Sequence, residues 1–164
     1  MKIRWMRLTV ILFALGNAPV AFSYGFPAGF RVESLGQAQG AARTSGKPVM
    51  LYFTQHHCRY CDIVEGFLDS ATLRAAYIPS YHFVLIDVTK NLRGDAFQKE
   101  MIDRFKYRAT PTFAFLTAEG KHVCTSYGGI NHQDDGLALH RFVQTRAVEQ
   151  TEDNPPGTRC GRLP

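Results

Sequence analysis

Long apolar runs are missing from this sequence. No stretch approaches the roughly 20 consecutive apolar residues of an ordinary membrane helix. Cysteine is scarce, at four in 164 residues. That is too few for a small fold framed by disulfides, and a chain of this length can stabilise one domain through its own core. The six histidines include no pair at the helical spacing of metal ligands. There is no internal repeat, and no adjacent arginine pair marks the twin-arginine export route. Positive charge is also thin once the first residues are set aside. The formal +5 falls to +2 without Lys2, Arg4 and Arg7, and no basic stripe remains for nucleic acid.

What is present is globular: 45% hydrophobic and 20% charged residues, with abundant aromatics. The basic start is followed by a short apolar core, Leu8 to Gly16, then by Pro19 and the small residues Ala21 and Ser23. This is the pattern of a secretory signal peptide over residues 1–23, with cleavage expected after Ser23. An uncleaved anchor is the rival reading, against which the shortness of the apolar core argues. Export would place the cysteines in an oxidising compartment.

Residues 24–33 read as an extended lead-in, 34–148 as one folded domain and 149–164 as a flexible, polar, Pro-rich tail. Within the domain a helix is expected over VESLGQAQGAARTSG, then a buried strand at Lys47 to Thr54. A second helix follows the HHCRYC segment, carrying Ile63, Val64, Phe67 and Leu68 at helical spacing. Ser70 caps a short helical piece through Tyr77. Then come a strand at His82 to Val88, a helix with Phe97, Met101, Ile102 and Phe105 on one face, strands at Thr112 to Thr117 and His122 to Gly129, and a closing helix. A helical crossover implies a parallel pair for the first two strands, and the tight AEGK turn an antiparallel pair for the last two. The fold class is therefore α/β, a mixed four-stranded sheet with helices on both faces.

The chemistry concentrates in HHCRYC, residues 56–61. Cys58 falls at a helix start and Cys61 three residues on, so both share one face within disulfide reach. Unpaired N–H groups and the positive end of the helix dipole favour a thiolate on Cys58, each by roughly 0.3–1 kcal/mol. Arg59 adds positive charge, as does His57 when protonated. A stable thiolate is a better-populated nucleophile and a better leaving group. As a staple, a bridge enclosing two residues would do little, because stabilisation grows with loop length. A metal reading needs four ligands, and no second CxxC follows at finger spacing. The site residues are therefore Cys58 as nucleophile and Cys61 as resolving thiol, with His57 and Arg59 tuning them, no metal and no cofactor. Cys124 reads as a buried free thiol, with a Cys124–Cys160 bridge as the alternative.

VMLYFTQHHCRYCDIVEGFL, FVLIDV and RFKYRATPTFAFLTAEGKHV together resemble the thioredoxin superfamily over residues 34–146. Within it, the chain is most similar to exported thioredoxin-like proteins of the SoxW kind. The resemblance implies a thioredoxin-like fold and a cis bond between Thr110 and Pro111, whose loop would pack beside the cysteine pair and bind substrate by strand addition. It also implies a periplasmic thiol–disulfide oxidoreductase leaning toward reduction. Its partners would be exported proteins carrying disulfides or dithiols, with a membrane electron donor, and the chain would act as a monomer. The sequence departs from thioredoxin at three places. His57 precedes the first cysteine instead of Trp, and Tyr52 and Phe83 stand where a buried Asp–Lys pair is expected. Glu65, one turn beyond Cys61, is a substitute proton acceptor or, more simply, a solvated helix carboxylate. A copper- or zinc-handling protein using His56 or His57 with the cysteines is the alternative function, and a partner module with a silent CxxC is a third.

Overall fold

The computed structural model describes residues 25–89, 96–128, 130–155 and 157–161, without the side chains of Phe97 and Gln98. The expected signal peptide and the Phe97 position on its helix face lie outside the described residues. In chain order the elements are α1 (Leu35–Ser45), β1 (Val49–Thr54), α2 (Arg59–Leu68), α3 (Ala71–Tyr77), β2 (His82–Asp87), α4 (Ala96–Phe105), β3 (Thr112–Leu116), β4 (His122–Tyr127) and α5 (Gln133–Glu149).

Local signals set several of these boundaries. Ser34 and Gln37 form a reciprocal capping box at the start of α1, and Gly46 ends it in the left-handed conformation that glycine adopts without strain. Ser70 caps α3 by accepting from the Leu73 N–H. The sheet order is β2-β1-β3-β4. β1 pairs with β2 in parallel and with β3 antiparallel, and β3 with β4 antiparallel. This is a thioredoxin-like α/β fold, with the mixed sheet and two-sided helices that the crossover argument anticipates.

The period-two alternation of β1 divides the core. Met50 and Tyr52 face a cluster containing Val64 and Leu68 of α2, Leu73 and Tyr77 of α3, and Leu139 and Val143 of α5. Val49, Leu51 and Phe53 face the other side, against Ala38 and Ala42 of α1 and Met101 and Phe105 of α4. Every residue of β1 and of β3 is buried, so the strand that leads to the cysteine pair and the strand that follows Pro111 are both fully enclosed.

The lead-in does more than extend. Phe26 and Phe30 are buried against Phe83, and Phe26 also packs edge-on to Tyr52. Val32 forms a parallel bridge to Phe83. Aromatic packing thus occupies the place where the resemblance puts a buried ion pair.

The end of the chain corrects the sequence reading. Residues 150–155 and 157–161 run beside β4. Asn154 donates its amide to Val123 O at 2.6 Å, the Thr125 N–H donates to Thr158 O at 2.8 Å, and Thr125 bridges in parallel to Arg159. Cys124 is not a free thiol but is bonded to Cys160. Composition alone suggested a loose tail. The open edge of β4 supplies unpaired backbone groups that this polar segment satisfies, and the disulfide fastens it there.

Candidate active site

β1 delivers the chain to the site and α2 carries it away. After Thr54, the His56 N–H donates to Thr89 Oγ1 at 2.7 Å, and His57 turns the backbone through a left-handed φ of 59°. Cys58 then takes the N-cap position of α2. Its carbonyl accepts from the N–H groups of Cys61 (2.9 Å) and Asp62 (3.1 Å), and its sulfur accepts from the Cys61 N–H at 3.2 Å. The cysteine sulfur therefore fills the capping role that a Ser or Asp oxygen usually takes. A helix amide and the dipole end both point at the atom on which negative charge would form.

Cys58 and Cys61 are joined by a disulfide, with 5.2 Å between their Cα atoms. Cys58 is 7% exposed and Cys61 1%. Cys58 is the less enclosed of the two, so the pair meets solvent from its side. Around it, Tyr60 (68% exposed) and Ile63 (41%) present apolar surface on α2, and His57 and Arg59 are exposed beside them.

The Thr110–Pro111 peptide bond is cis and precedes β3 directly. Thr110 Oγ1 lies 3.4 Å from the Cys58 sulfur. The loop is braced by the Thr112 hydroxyl donating to Ala109 O at 2.6 Å and by the Gly128 N–H donating to Pro111 O at 3.1 Å. The structure therefore brings together Cys58, Cys61, Thr110 and Pro111, with His57 and Arg59 flanking the first cysteine.

Glu65 is not a solvated helix carboxylate. It is half-buried, one turn beyond Cys61. It accepts from the Tyr52 hydroxyl at 3.0 Å, from the Thr54 hydroxyl at 3.4 Å and from the Gly25 backbone N–H. Burial raises its carboxyl above the ordinary value of 4.5 despite these donors, and the Asp62 charge adds to the rise. Tyr52 is thus the residue that fixes a carboxylate in this place. No sequence pattern signals that link, because it joins a strand to a helix across the core face.

For the metal reading, the His56 and His57 rings are 6.5 Å apart and both neighbouring sulfurs are bonded to each other. Among the described residues, no group of three or more His, Cys, Asp or Glu is arranged to hold a metal ion. No helix of the described residues is long and apolar enough to cross a membrane.

Residues 35–144 match the family model of a thioredoxin-like domain. The chain belongs to this thioredoxin-like family. Among solved structures it is similar to a thioredoxin from Thermus thermophilus at 22% identity, covering 73% of this chain and 90% of that one, with a TM-score of 0.61. It is also similar to a DsbH oxidoreductase, at 21% identity, 86% and 96% coverage and a TM-score of 0.57. A third is the reduced C-terminal domain of DsbD from Neisseria meningitidis, at 16% identity, 68% and 91% coverage and a TM-score of 0.54. At these identities the likeness is one of fold. No curated protein sequence matches the chain. In this chain the cysteine pair sits where β1 gives way to α2, with the Tyr52–Glu65 contact behind it.

Proposed function

We propose that the chain is a periplasmic thiol–disulfide oxidoreductase of the SoxW kind, exported by its N-terminal signal and working chiefly to reduce disulfides in other exported proteins. The observation that carries this reading is the Cys58–Cys61 disulfide at the start of α2, with the Cys58 sulfur reachable and receiving the Cys61 N–H while Cys61 is enclosed.

In the reduced protein the Cys58 thiolate attacks one sulfur of a partner disulfide. The partner S–S bond breaks, a Cys58–partner bond forms, and the second partner sulfur leaves as a thiolate. Cys61 then gives its proton to Glu65, and its sulfur attacks Cys58. The Cys58–Cys61 bond forms and the first partner sulfur leaves. Two electrons pass to the partner, and its two thiolates take up protons from solvent. A membrane-anchored dithiol donor restores the dithiol by the same steps in reverse. Thr110 and Pro111 hold the partner's extended backbone beside Cys58, and His57 and Arg59 favour the thiolate. The chain acts as a monomer.

The test is to express full-length Cys61→Ala in its native host and separate envelope proteins without reductant. Reductant-sensitive adducts that vanish in Cys58→Ser/Cys61→Ala are expected. Absence of adducts, together with a reduced protein that binds copper or zinc tightly at one to one and does not reduce insulin, would replace this reading with metal handling.

A further inference from the structure

The end of the sheet that carries Cys58 is flanked by cations that the exchange steps leave unused. Tyr127, the last residue of β4, lies opposite Thr112 in the ladder, and the N–H of Gly128 donates to Pro111 O at 3.1 Å. The Tyr127 hydroxyl stands 3.2 Å from Phe105 O and 3.3 Å from Lys106 O. The end of β4 is thereby tied to the segment that leads into the cis peptide bond.

The docked tail adds charge at this place. Arg159 bridges to Thr125, and its guanidinium carbon stands 5.6 Å from the centre of the Tyr127 ring. The Cys160 N–H donates to Thr125 O at 3.1 Å, and the disulfide to Cys124 fastens the residue next to Arg159. Gly157 packs on Lys106, so closely that a Cβ on the glycine would lie 3.7 Å from the lysine Cγ. Lys106, Arg108 and Arg159 are thus carried by segments that meet at the Thr110–Pro111 loop, and Arg59 adjoins Cys58. All of these side chains are exposed, and among the described residues none of them forms an ion pair. Of the carboxylates on this end, Asp62 lies in the first turn of α2. Asp87 ends β2 at the opposite edge of the sheet, 4.0 Å from His56.

We infer that this basic rim is a docking surface for the partner protein, selecting extended segments that carry carboxylates within a few residues of the reacting cysteine. A segment laid beside Thr110 to reach Cys58 has Arg59 next to its sulfur and the Lys106–Arg108–Arg159 group on its flank. Guanidinium groups stay charged at working pH and pair with carboxylates in a bidentate fork. They also offset the repulsion between a Cys58 thiolate and an acidic partner. Exposed pairs are individually weak and screened by salt, so the effect falls mainly on the rate of encounter. An acidic polypeptide fits better than nucleic acid, because the rim frames a centre whose reactant is a protein sulfur. The inference rests on the proposed function and adds the charge of the partner.

The test uses full-length Cys61→Ala, in which Cys58 is the one thiol while Cys124 and Cys160 stay bonded. Three synthetic peptides each carry one cysteine as its pyridyl disulfide, flanked on both sides by glutamate, glutamine or lysine. The Cys58 thiolate attacks the peptide sulfur, a Cys58–peptide bond forms, and the pyridyl sulfur leaves as thiopyridone, whose absorbance gives the rate. At about 10 mM salt the glutamate peptide should react about tenfold faster than the glutamine peptide, with the lysine peptide slowest. The differences should collapse near about 1 M salt. Arg108→Gln and Arg159→Gln should each lower the glutamate-to-glutamine ratio about threefold. Arg43→Gln, at the end of α1 remote from Cys58, should leave that ratio unchanged. Equal rates for the glutamate and glutamine peptides in the parent overturn the inference. So does an equal loss in Arg43→Gln and Arg159→Gln, which would assign the preference to net charge. A parent that reacts with none of the peptides sinks the proposed function instead. The same peptides with serine in place of cysteine then report binding by fluorescence anisotropy, where no preference for the glutamate form overturns the inference as well.

Discussion

The Cys58 sulfur accepts a hydrogen bond from the backbone N–H of Cys61 at 3.2 Å, so the nucleophile caps the helix that carries its own resolving partner. Reactivity and helix stability are coupled at one atom. Cys58→Ser places another good cap at the same position, whereas Cys58→Ala removes the side-chain acceptor and leaves the Cys61 N–H only its bond to the Cys58 carbonyl. Both abolish exchange. Under reducing conditions, Cys58→Ala should be less stable than Cys58→Ser by about 1 kcal/mol in denaturant titration. Equal midpoints for the two variants would show that the sulfur contributes nothing to the cap.

Glu65 links proton transfer to stability. Burial raises its carboxyl, so the folded protein holds this proton at pH values where the unfolded chain has released it. The folded state then binds more protons than the unfolded state just above pH 4.5, and this group's contribution falls as pH rises through that window. Glu65→Gln, which keeps an oxygen for the Tyr52 and Thr54 hydroxyls, should raise the melting temperature at pH 7. The gain should shrink below about pH 4.5. With Cys61 in place, the same variant should slow resolution of a preformed Cys58 mixed disulfide by roughly 10²-fold, the low end for a positioned general base. Release at the parental rate would remove Glu65 from the proposed mechanism.

The second disulfide is a staple by the reasoning that disqualifies the first. Cys124 and Cys160 are 36 residues apart, and closing a loop of that size in the unfolded chain is worth roughly 3–4 kcal/mol in the entropy model. Cys124→Ser/Cys160→Ser should lose about that much in urea titration. The Cys58 alkylation profile should not move, because the staple sits on the β4 edge, outside the contacts of the cysteine pair. A stability change below about 1 kcal/mol would show that the tail holds itself to β4 by hydrogen bonds alone.

Much of this was legible in the sequence because it depends on short-range rules. β1 announces itself as a buried apolar run, Ser70 as a cap, and CxxC as a pair one helical step apart. What escaped depends on contacts between distant segments. The placement of Asn154, Thr158 and Cys160 is decided by the open edge of β4, to which a polar, Pro-rich composition gives no clue. Glu65 could not be distinguished from an ordinary helix carboxylate until Tyr52 and Gly25 were brought over it.

His122 makes the docked tail sensitive to acid. It is buried in β4, with Nε2 3.0 Å from the Thr125 hydroxyl and Nδ1 3.4 Å from Asn154 O, while its backbone N–H donates to the Asp153 carboxylate. Phe105 packs edge-on to the ring. Burial lowers the affinity of the ring for a proton below its ordinary value of 6.5, and the Arg104 charge acts in the same direction. The Asn154 and Cys124 backbone groups and Asp153 pull the other way without reversing the shift. The unfolded chain therefore binds more protons than the folded one below about pH 6.5, and this contribution to stability is lost as pH falls. His140, which burial shifts in the same direction, adds a parallel slope from α5. His122→Gln should flatten the fall in melting temperature between about pH 6.5 and pH 5, and His140→Gln should remove only its own share. Amide exchange at Thr125 and Cys160, whose N–H groups bond across to the tail and to β4, should accelerate on acidification more in the parent than in His122→Gln, after correction for intrinsic exchange. Identical pH slopes in the parent and His122→Gln would place the acid sensitivity elsewhere in the chain.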